Sequence, residues 1–315
     1  MGNKIREFGK ICKLSQEKLK KHLFGRLENF GYNVINEDGF LYAKGELPIL
    51  LTAHMDTVHE ITCRKYDVKK LDEKTIISSK DGIGGDDRCG IYMILEILKA
   101  GYRPSILFCE DEEIGGVGSR KFTKTEYIED LKEMNYLIEL DRANDKDAVF
   151  YDCGNTDFAN FITETTGLKE AFGSFSDISV LSPACDVASV NLSCGYYNAH
   201  TTKEYVVMEE MLYIIEVVKK LLDTESAQFE FMEINTSYDY GYKKYFGQGY
   251  YDWGYSEYAK IEVMEGLEVC FINDKGEEET EVYWGDSLQL CLGEFMIDHP
   301  DKCLNDILDY DVINW

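Results

Sequence analysis

Three apolar runs that end at acids or a histidine constrain this chain more than any other feature. Residues 48–54 read Pro-Ile-Leu-Leu-Thr-Ala-His. Residues 105–109 read Ser-Ile-Leu-Phe-Cys and are followed by four acids, Glu110, Asp111, Glu112 and Glu113. Residues 136–140 read Tyr-Leu-Ile-Glu-Leu and are followed by Asp141. Runs this short with so little polar alternation read as strands covered on both faces. Helical periodicity lies around them. Leu19, Leu23, Leu27 and Phe30 share one face of residues 15–30, with Ser15 placed to cap the start and Gly31 to close the end. Ile91, Ile94, Leu95 and Leu98 share a face of residues 87–100, which Gly101 and Pro104 stop. Residues 208–222 form a long amphipathic pattern, and residues 39–44 and 188–193 read as further strands. Strands alternating with helices up to about residue 224 predict an α/β fold, with a mostly parallel central sheet flanked by helices. In such a sheet ligands sit beyond the carboxyl ends of the strands.

Residues 225–315 differ from what precedes them. They carry 21 acids and 5 bases, all three Trp and ten of the 22 Tyr. Eight of those Tyr fall within residues 238–258. Alternation in 261–272 and 280–284 flanks a turn-like Asn273-Asp274-Lys275-Gly276, which predicts a hairpin. The expected organisation is a catalytic domain over 1–224 and a small β-rich, acidic accessory region over 225–315. Three roles stay open for that region: a small domain packed over the site, an oligomer contact, or a substrate filter.

Acids outnumber bases 59 to 33, a formal charge of −26. A surface that negative repels phosphate backbones, which argues against nucleic acid as a partner. No apolar run reaches the 18 or so residues that cross a bilayer, so no membrane partner is expected. Residues 1–16 lack the apolar segment of an export signal. The ten Cys form no Cys-x-x-Cys pair and read as reduced thiols of a cytoplasmic protein.

Five short motifs stand at the ends of these elements. They are His54-Met55-Asp56, Gly85-Asp86-Asp87-Arg88, Glu110 to Gly116, Glu139-Leu140-Asp141, and Asn198-Ala199-His200. Each alone has a bland reading. A His-x-Asp recurs by chance, a Glu-Glu pair is usually a solvated face, and Asp-Asp before a helix is more often a cap on the helix dipole. Asp141 reads equally as a turn residue and His200 as a satisfied loop histidine. Together, residue type, order and placement at strand ends agree on a metal site. Imidazole and carboxylate are the ligands zinc accepts where coordination positions stay open. A carboxylate can bridge two ions, and two close ions polarise a carbonyl and acidify a shared water. A neighbouring Glu can then carry the proton. His22, His59 and His299 lack the strand-end context and read as non-ligands, with His59 the one that could line the pocket.

This ordered set resembles the co-catalytic di-zinc exopeptidases, the superfamily of peptidase T-like tripeptidases, aminoacylases, and leucyl and glutamyl aminopeptidases. The resemblance covers roughly residues 45–225. It implies two Zn²⁺, with Co²⁺ or Mn²⁺ as substitutes, bound by His54, Asp86, Glu113, Asp141 and His200. It implies that Asp86 bridges the ions, that Asp56 orients His54, and that Glu112 is the general base. It also implies a cis peptide between Asp86 and Asp87. A Ser-Asp stretch near the active site of related aminopeptidases corresponds to Ser176-Asp177, where capping by Ser174 or Ser176 is an equal reading. Arg142 reads either as an anchor for a substrate carboxylate or as a partner of nearby acids.

Many relatives insert a dimerisation or lid domain between the fourth and fifth motifs. Here 58 residues separate Asp141 from His200, room for a strand or two and a helix and for no such domain. That spacing favours the single-domain aminopeptidases, although the motif wording is closer to peptidase T-like members. Glu110 and Asp111 could attract a substrate ammonium group or be solvated loop acids. The expected function is hydrolysis of the N-terminal peptide bond of short peptides. A deacylase of N-acyl amino acids, a carboxypeptidase and an inactive binding protein on the same fold are the alternatives. A homo-oligomer is left open.

Overall fold

The polypeptide crosses one sheet edge repeatedly, and that edge collects the five motifs. The structure, a computed structural model, describes residues 1–59 and 63–234, together with the strands Glu265–Ile272, Glu278–Gly285 and Ile307–Asn314. The chain divides into two compact units, Met1–Ile234 and Asn235–Trp315.

The first unit is built on an eight-stranded sheet of order β1-β2-β6-β3-β7-β10-β8-β9. Its strands are β1 (Ile35–Glu37), β2 (Phe40–Ala43), β3 (Leu47–His54), β6 (Pro104–Cys109), β7 (Tyr136–Arg142), β8 (Asp147–Val149), β9 (Lys169–Ala171) and β10 (Ser189–Ser193). The central four, β6, β3, β7 and β10, run parallel. β1, β2 and β8 join antiparallel at the flanks. The three apolar runs are therefore three adjacent central strands.

Their near-continuous apolarity follows from cover on both faces. Leu51, Ala53, Ile106, Phe108, Ile138 and Leu140 point into one core. Their strand neighbours Leu50, Leu107, Cys109 and Leu137 point into the other. The larger core lies under α1 (Gly2–Cys12), α3 (Gly85–Lys99), α6 (Thr156–Thr166) and α8 (Met208–Asp223). The smaller takes Phe122 of α4 (Val117–Phe122), Ile128 and Leu131 of α5 (Ile128–Leu131), and Leu181 of α7 (Asp177–Cys185). The helix α2 (Gln16–Asn29) starts after Ser15 and ends before Gly31, whose φ is +91°. It buries Leu19, Leu23 and Leu27, the face read from the sequence.

A second sheet has the order β11-β12-β5-β4. It combines the hairpin β4 (Asp67–Leu71) and β5 (Lys74–Ser78) with β11 (Tyr196–Tyr197) and β12 (Tyr205–Val207). Sequence reasoning leaves these short strands and α1 unassigned, although α1 is amphipathic and buries Phe8, Ile11 and Cys12. The 58 residues between Asp141 and His200 hold β8, α6, β9, α7, β10 and β11, two helices where one was expected. Residues 225–234, placed by the sequence with the C-terminal region, run along the first unit through bridges Val187–Glu230 and Cys153–Glu233.

In the second unit β13 (Glu265–Ile272) lies between β14 (Glu278–Gly285) and β15 (Ile307–Asn314), antiparallel to both. The expected hairpin is thus present and gains a third strand. The turn 273–276, the Tyr-rich stretch 238–258 and His299 lie outside the described residues. The described cysteines, Cys12 to Cys194, are all buried and free. No helix among the described residues is long and apolar enough to cross a membrane.

One close approach ties α3 to the sheet beneath the motifs. A Cβ on Gly90 would stand 1.8 Å from the Leu140 carbonyl oxygen and 2.6 Å from Asp87 Oδ1. Overpacking of this kind costs about 1–3 kcal/mol. Gly90→Ala is expected to lower the unfolding free energy by that amount, read as a lower urea midpoint, and an unchanged urea curve would show that α3 can yield without cost.

Candidate metal centre

Each of the five motifs enters the same cleft because each ends or follows an element whose carboxyl or amino end opens there. His54 is the last residue of β3, and its neighbour Asp56 lies in the loop beyond. Glu112 and Glu113 follow β6, and Asp141 lies near the end of β7. Asp86 and Asp87 occupy the start of α3 with non-helical backbone angles, so the regular helix begins after them. The peptide between them is cis. His200 sits in the turn between β11 and β12, at φ +63°.

The side chains form two trios that share Asp86. His54 Nε2 stands 3.1 Å from Asp86 Oδ1 and 3.4 Å from Asp141 Oδ1. His200 Nε2 stands 3.1 Å from Asp86 Oδ2 and 3.1 Å from Glu113 Oε2. Tetrahedral ligands bound at about 2.0–2.1 Å must stand about 3.3 Å from one another. The observed spacing fits that requirement. Glu113 Oε1 is also buried with no hydrogen-bond partner, a carboxylate oxygen to spare in the cleft. The side chain of His200 is 57% exposed, so the trio it closes faces solvent and has room for a substrate.

Asp87 also lies within ligand distance of His54 and Asp141. Its oxygens are committed elsewhere: Oδ2 accepts from His54 N at 3.2 Å and Oδ1 from Gly90 N at 2.8 Å. It fixes the backbone of one ligand and the start of α3 and is not itself a candidate ligand.

Asp56 links two motifs through one carboxylate. Oδ1 accepts from His54 Nδ1 and from Glu112 N, both at 3.0 Å, and Oδ2 accepts from Glu113 N at 3.0 Å. Burial works against its charge, but the His54 imidazole and these two amides hold its carboxyl below the ordinary range. The result is a fixed His54 tautomer, with Nε2 turned to Asp86 and Asp141. Asp141 is held from behind: Asn191 Oδ1 accepts from its amide at 2.9 Å and Tyr196 donates to its carbonyl at 2.8 Å.

Charge is concentrated in this cleft. Burial, and then the neighbouring Asp86, push Asp141 up to about 7. Asp86 goes the other way: burial opposes its charge, yet the imidazoles of His200 and His54 hold it well below the carboxylate range. The hydrogen bonds to Asp86 and Glu113 push His200 up to about 11. The Glu112 carboxylate belongs to neither trio. Burial, reinforced by the charges of Asp141, Asp177 and Glu139, pushes it up to about 10. That burial favours its protonated form.

Several neighbours carry signals that sequence reasoning weighed or missed. Ser176 precedes α7, and its amide donates to Ser179 Oγ at 3.2 Å. Its hydroxyl donates to Glu139 and stands 3.2 Å from Asp141 Oδ2. Capping and site contact are both present. Arg142 Nε donates to Asp147 at 3.1 Å, the acid-pairing reading. Glu110 pairs with Lys20 and accepts from Gly39 N, while Asp111 accepts from Gln16 Nε2. Both acids are tied to the fold, Glu110 by an ion pair and Asp111 by a neutral amide. Arg88 is buried and donates to the carbonyls of Met55, Asp56 and Leu14. His59 joins Glu204, a fully buried acid four residues past His200 whose only sequence signal is that proximity. His22 lies on α2 beside Tyr92 and Arg26, away from the cleft.

Comparison with known proteins bears on the fold and the family. Residues 41–180 match peptidase family M28. No curated protein matches the sequence. Among solved structures, aminopeptidase PepT from Bacillus cereus is 15% identical at TM-score 0.55, over 70% of this chain and 97% of that one. Aminopeptidase APDkam598 from the archaeon Desulfurococcus kamchatkensis is 12% identical at TM-score 0.56, over 71% and 96%. The Pyrococcus horikoshii TET1 peptidase, which can assemble into a tetrahedron or a large octahedral shell, is 14% identical at TM-score 0.50, over 70% and 98%. The matched segment takes in four of the five motifs, and the solved structures share the fold. The matched residues carry the pattern of family M28.

The Asp56 carboxylate makes a direct prediction. Asp56→Ala leaves the amides of Glu112 and Glu113 without their acceptor. Hydrogen exchange at those two amides is expected to rise at least tenfold while the β3 amides stay protected. Unchanged protection at 112–113 would show that Asp56 does not hold that loop.

Proposed function

We propose that this protein is an aminopeptidase that uses two divalent cations, zinc in the first instance, to hydrolyse the N-terminal peptide bond of short peptides. The carrying observation is the pair of donor trios that share Asp86, one on each carboxylate oxygen. In this reading His54, Asp86 and Asp141 hold one ion, and Asp86, Glu113 and His200 hold the other. Bound there, two divalent cations supply Lewis acidity toward the peptide carbonyl and toward water.

The chain's own groups do the rest. Glu112 accepts a proton from the attacking water at its carboxylate and delivers it to the leaving amine. Asp56 fixes both His54 and the backbone that carries Glu112 and Glu113, so base and ligands keep one spacing. Arg142 is engaged by Asp147, which weakens the carboxypeptidase alternative that needs an anchor for a terminal carboxylate. The catalytic unit is the first one, and the acidic second region is an accessory. The TET1 likeness makes a homo-oligomer the assembly to test, by sedimentation.

The specificity test is a peptide-library digest with added zinc, manganese or cobalt, comparing free and acetylated N-termini. Free peptides are expected to shorten one residue at a time and acetylated ones to survive. Equal cleavage of blocked peptides would refute the aminopeptidase assignment and favour the deacylase. For the base, Glu112→Gln is expected to keep its metal content and lose at least about 100-fold in kcat. Loss of metal in that variant would instead make Glu112 a ligand. Chelation is expected to abolish turnover and lower the melting temperature, with both restored by zinc; a chelated protein of unchanged activity would end the metal reading.

A further inference from the structure

Behind the exposed trio stands a buried acid that belongs to none of the five motifs. Glu204 has no solvent exposure. Its two oxygens take three N–H donors: Oε1 accepts from Asp86 N at 3.0 Å, and Oε2 accepts from Gly84 N at 2.7 Å and from His59 Nε2 at 3.0 Å. The donors lie more than a hundred residues away along the chain, so this is a tertiary joint and not a local turn.

The joint connects the two segments that supply the exposed trio. Glu204 is four residues past His200, and its amide donates to Thr201 O at 3.2 Å. Thr201 Oγ1 in turn donates to Asn198 O at 2.8 Å, which closes the turn that holds His200 in the left-handed region. On the other side, residues 82–86 present Asp86. Gly82 and Gly84 have φ of +89° and +66°. A Cβ on Gly82 would stand 2.1 Å from the His59 ring, so glycine there lets the imidazole pack flat against the loop. His59 is nearly buried and so completes the joint from below.

Two of the other trio's three ligands are held without this joint. His54 is held by Asp56, and Asp141 by Asn191 and Tyr196. Loss of Glu204 therefore frees the turn carrying His200 and the amide of Asp86 while His54 and Asp141 keep their supports.

We propose that Glu204 and His59 are positioning residues that set the spacing of the Asp86–Glu113–His200 cation site and leave the His54–Asp86–Asp141 site largely unaffected. The inference rests on the two-cation reading above. Its functional consequence is separable occupancy: the exposed ion is the one whose affinity this joint tunes.

The test is a zinc titration of metal-stripped full-length protein by calorimetry, with bound metal counted by atomic emission after dialysis. Wild type is expected to take up two ions. Glu204→Gln and His59→Ala are expected to bind the first as wild type does and the second at least about tenfold more weakly. His59→Gln, which restores a donor, is expected to recover most of that loss. Wild-type affinity for the second ion in His59→Ala, or equal weakening of both ions, overturns the proposal. If Glu204→Gln fails to fold, the two His59 variants still decide it. A wild-type protein that takes up no second ion would overturn the metal reading itself, a separate failure.

Discussion

Carboxylates crowded at one sheet edge are the constraint on which the rest of this structure depends. Asp86, Glu112, Glu113 and Asp141 meet there, with Asp87, Glu139 and Asp177 fully buried behind them. Like charges this close and this dry cannot all stay ionised unless something positive joins them. His54 and His200 supply part of the answer, each facing two carboxylates. Asp87, Glu139 and Glu112 show the remainder of the problem: burial holds all three above the ordinary carboxylate range. Divalent cations, one held by each trio as proposed, would answer it in a way that also does chemistry.

The fold holds this repulsive group together by spending backbone amides on it. Asp56 takes the amides of Glu112 and Glu113, Asp87 takes those of His54 and Gly90, Glu139 takes that of Ile178, and Glu204 takes those of Gly84 and Asp86. Asp56 and Asp87 each bind the backbone of another motif, Glu139 binds the start of α7, and Glu204 joins the turn of His200 to residues 84–86. Ligand spacing is thereby fixed by hydrogen bonds that cross between chain segments, with the central parallel strands as their common base.

The central architecture is legible in the sequence because strands buried on both faces leave a signal that needs no context. The runs at 48–54, 105–109 and 136–140 could be nothing but inner strands, and their polar ends named the edge where His54, Glu112, Glu113 and Asp141 gather. Asp86 and His200 came from the resemblance, since nothing in a loop sequence says where it folds back. Pairing within the two trios was not legible, because it depends on which oxygen of Asp86 faces which histidine. The partners of Glu110 and Asp111 were not legible for the complementary reason: Lys20 and Gln16 lie about 90 residues away and leave no local mark. Glu204 was invisible on the same ground. Short edge strands such as β4, fully exposed, carry no apolar alternation to read.

The central claim is that Asp86 bridges two cations, with one trio on each of its oxygens. Anomalous diffraction from crystals of the zinc-loaded protein, collected on both sides of the zinc edge, tests it most directly. The account predicts two peaks about 3.5–4 Å apart, flanking the Asp86 carboxylate, one beside His54 and Asp141 and the other beside Glu113 and His200. A single peak, or zinc held by residues outside these five, would contradict it.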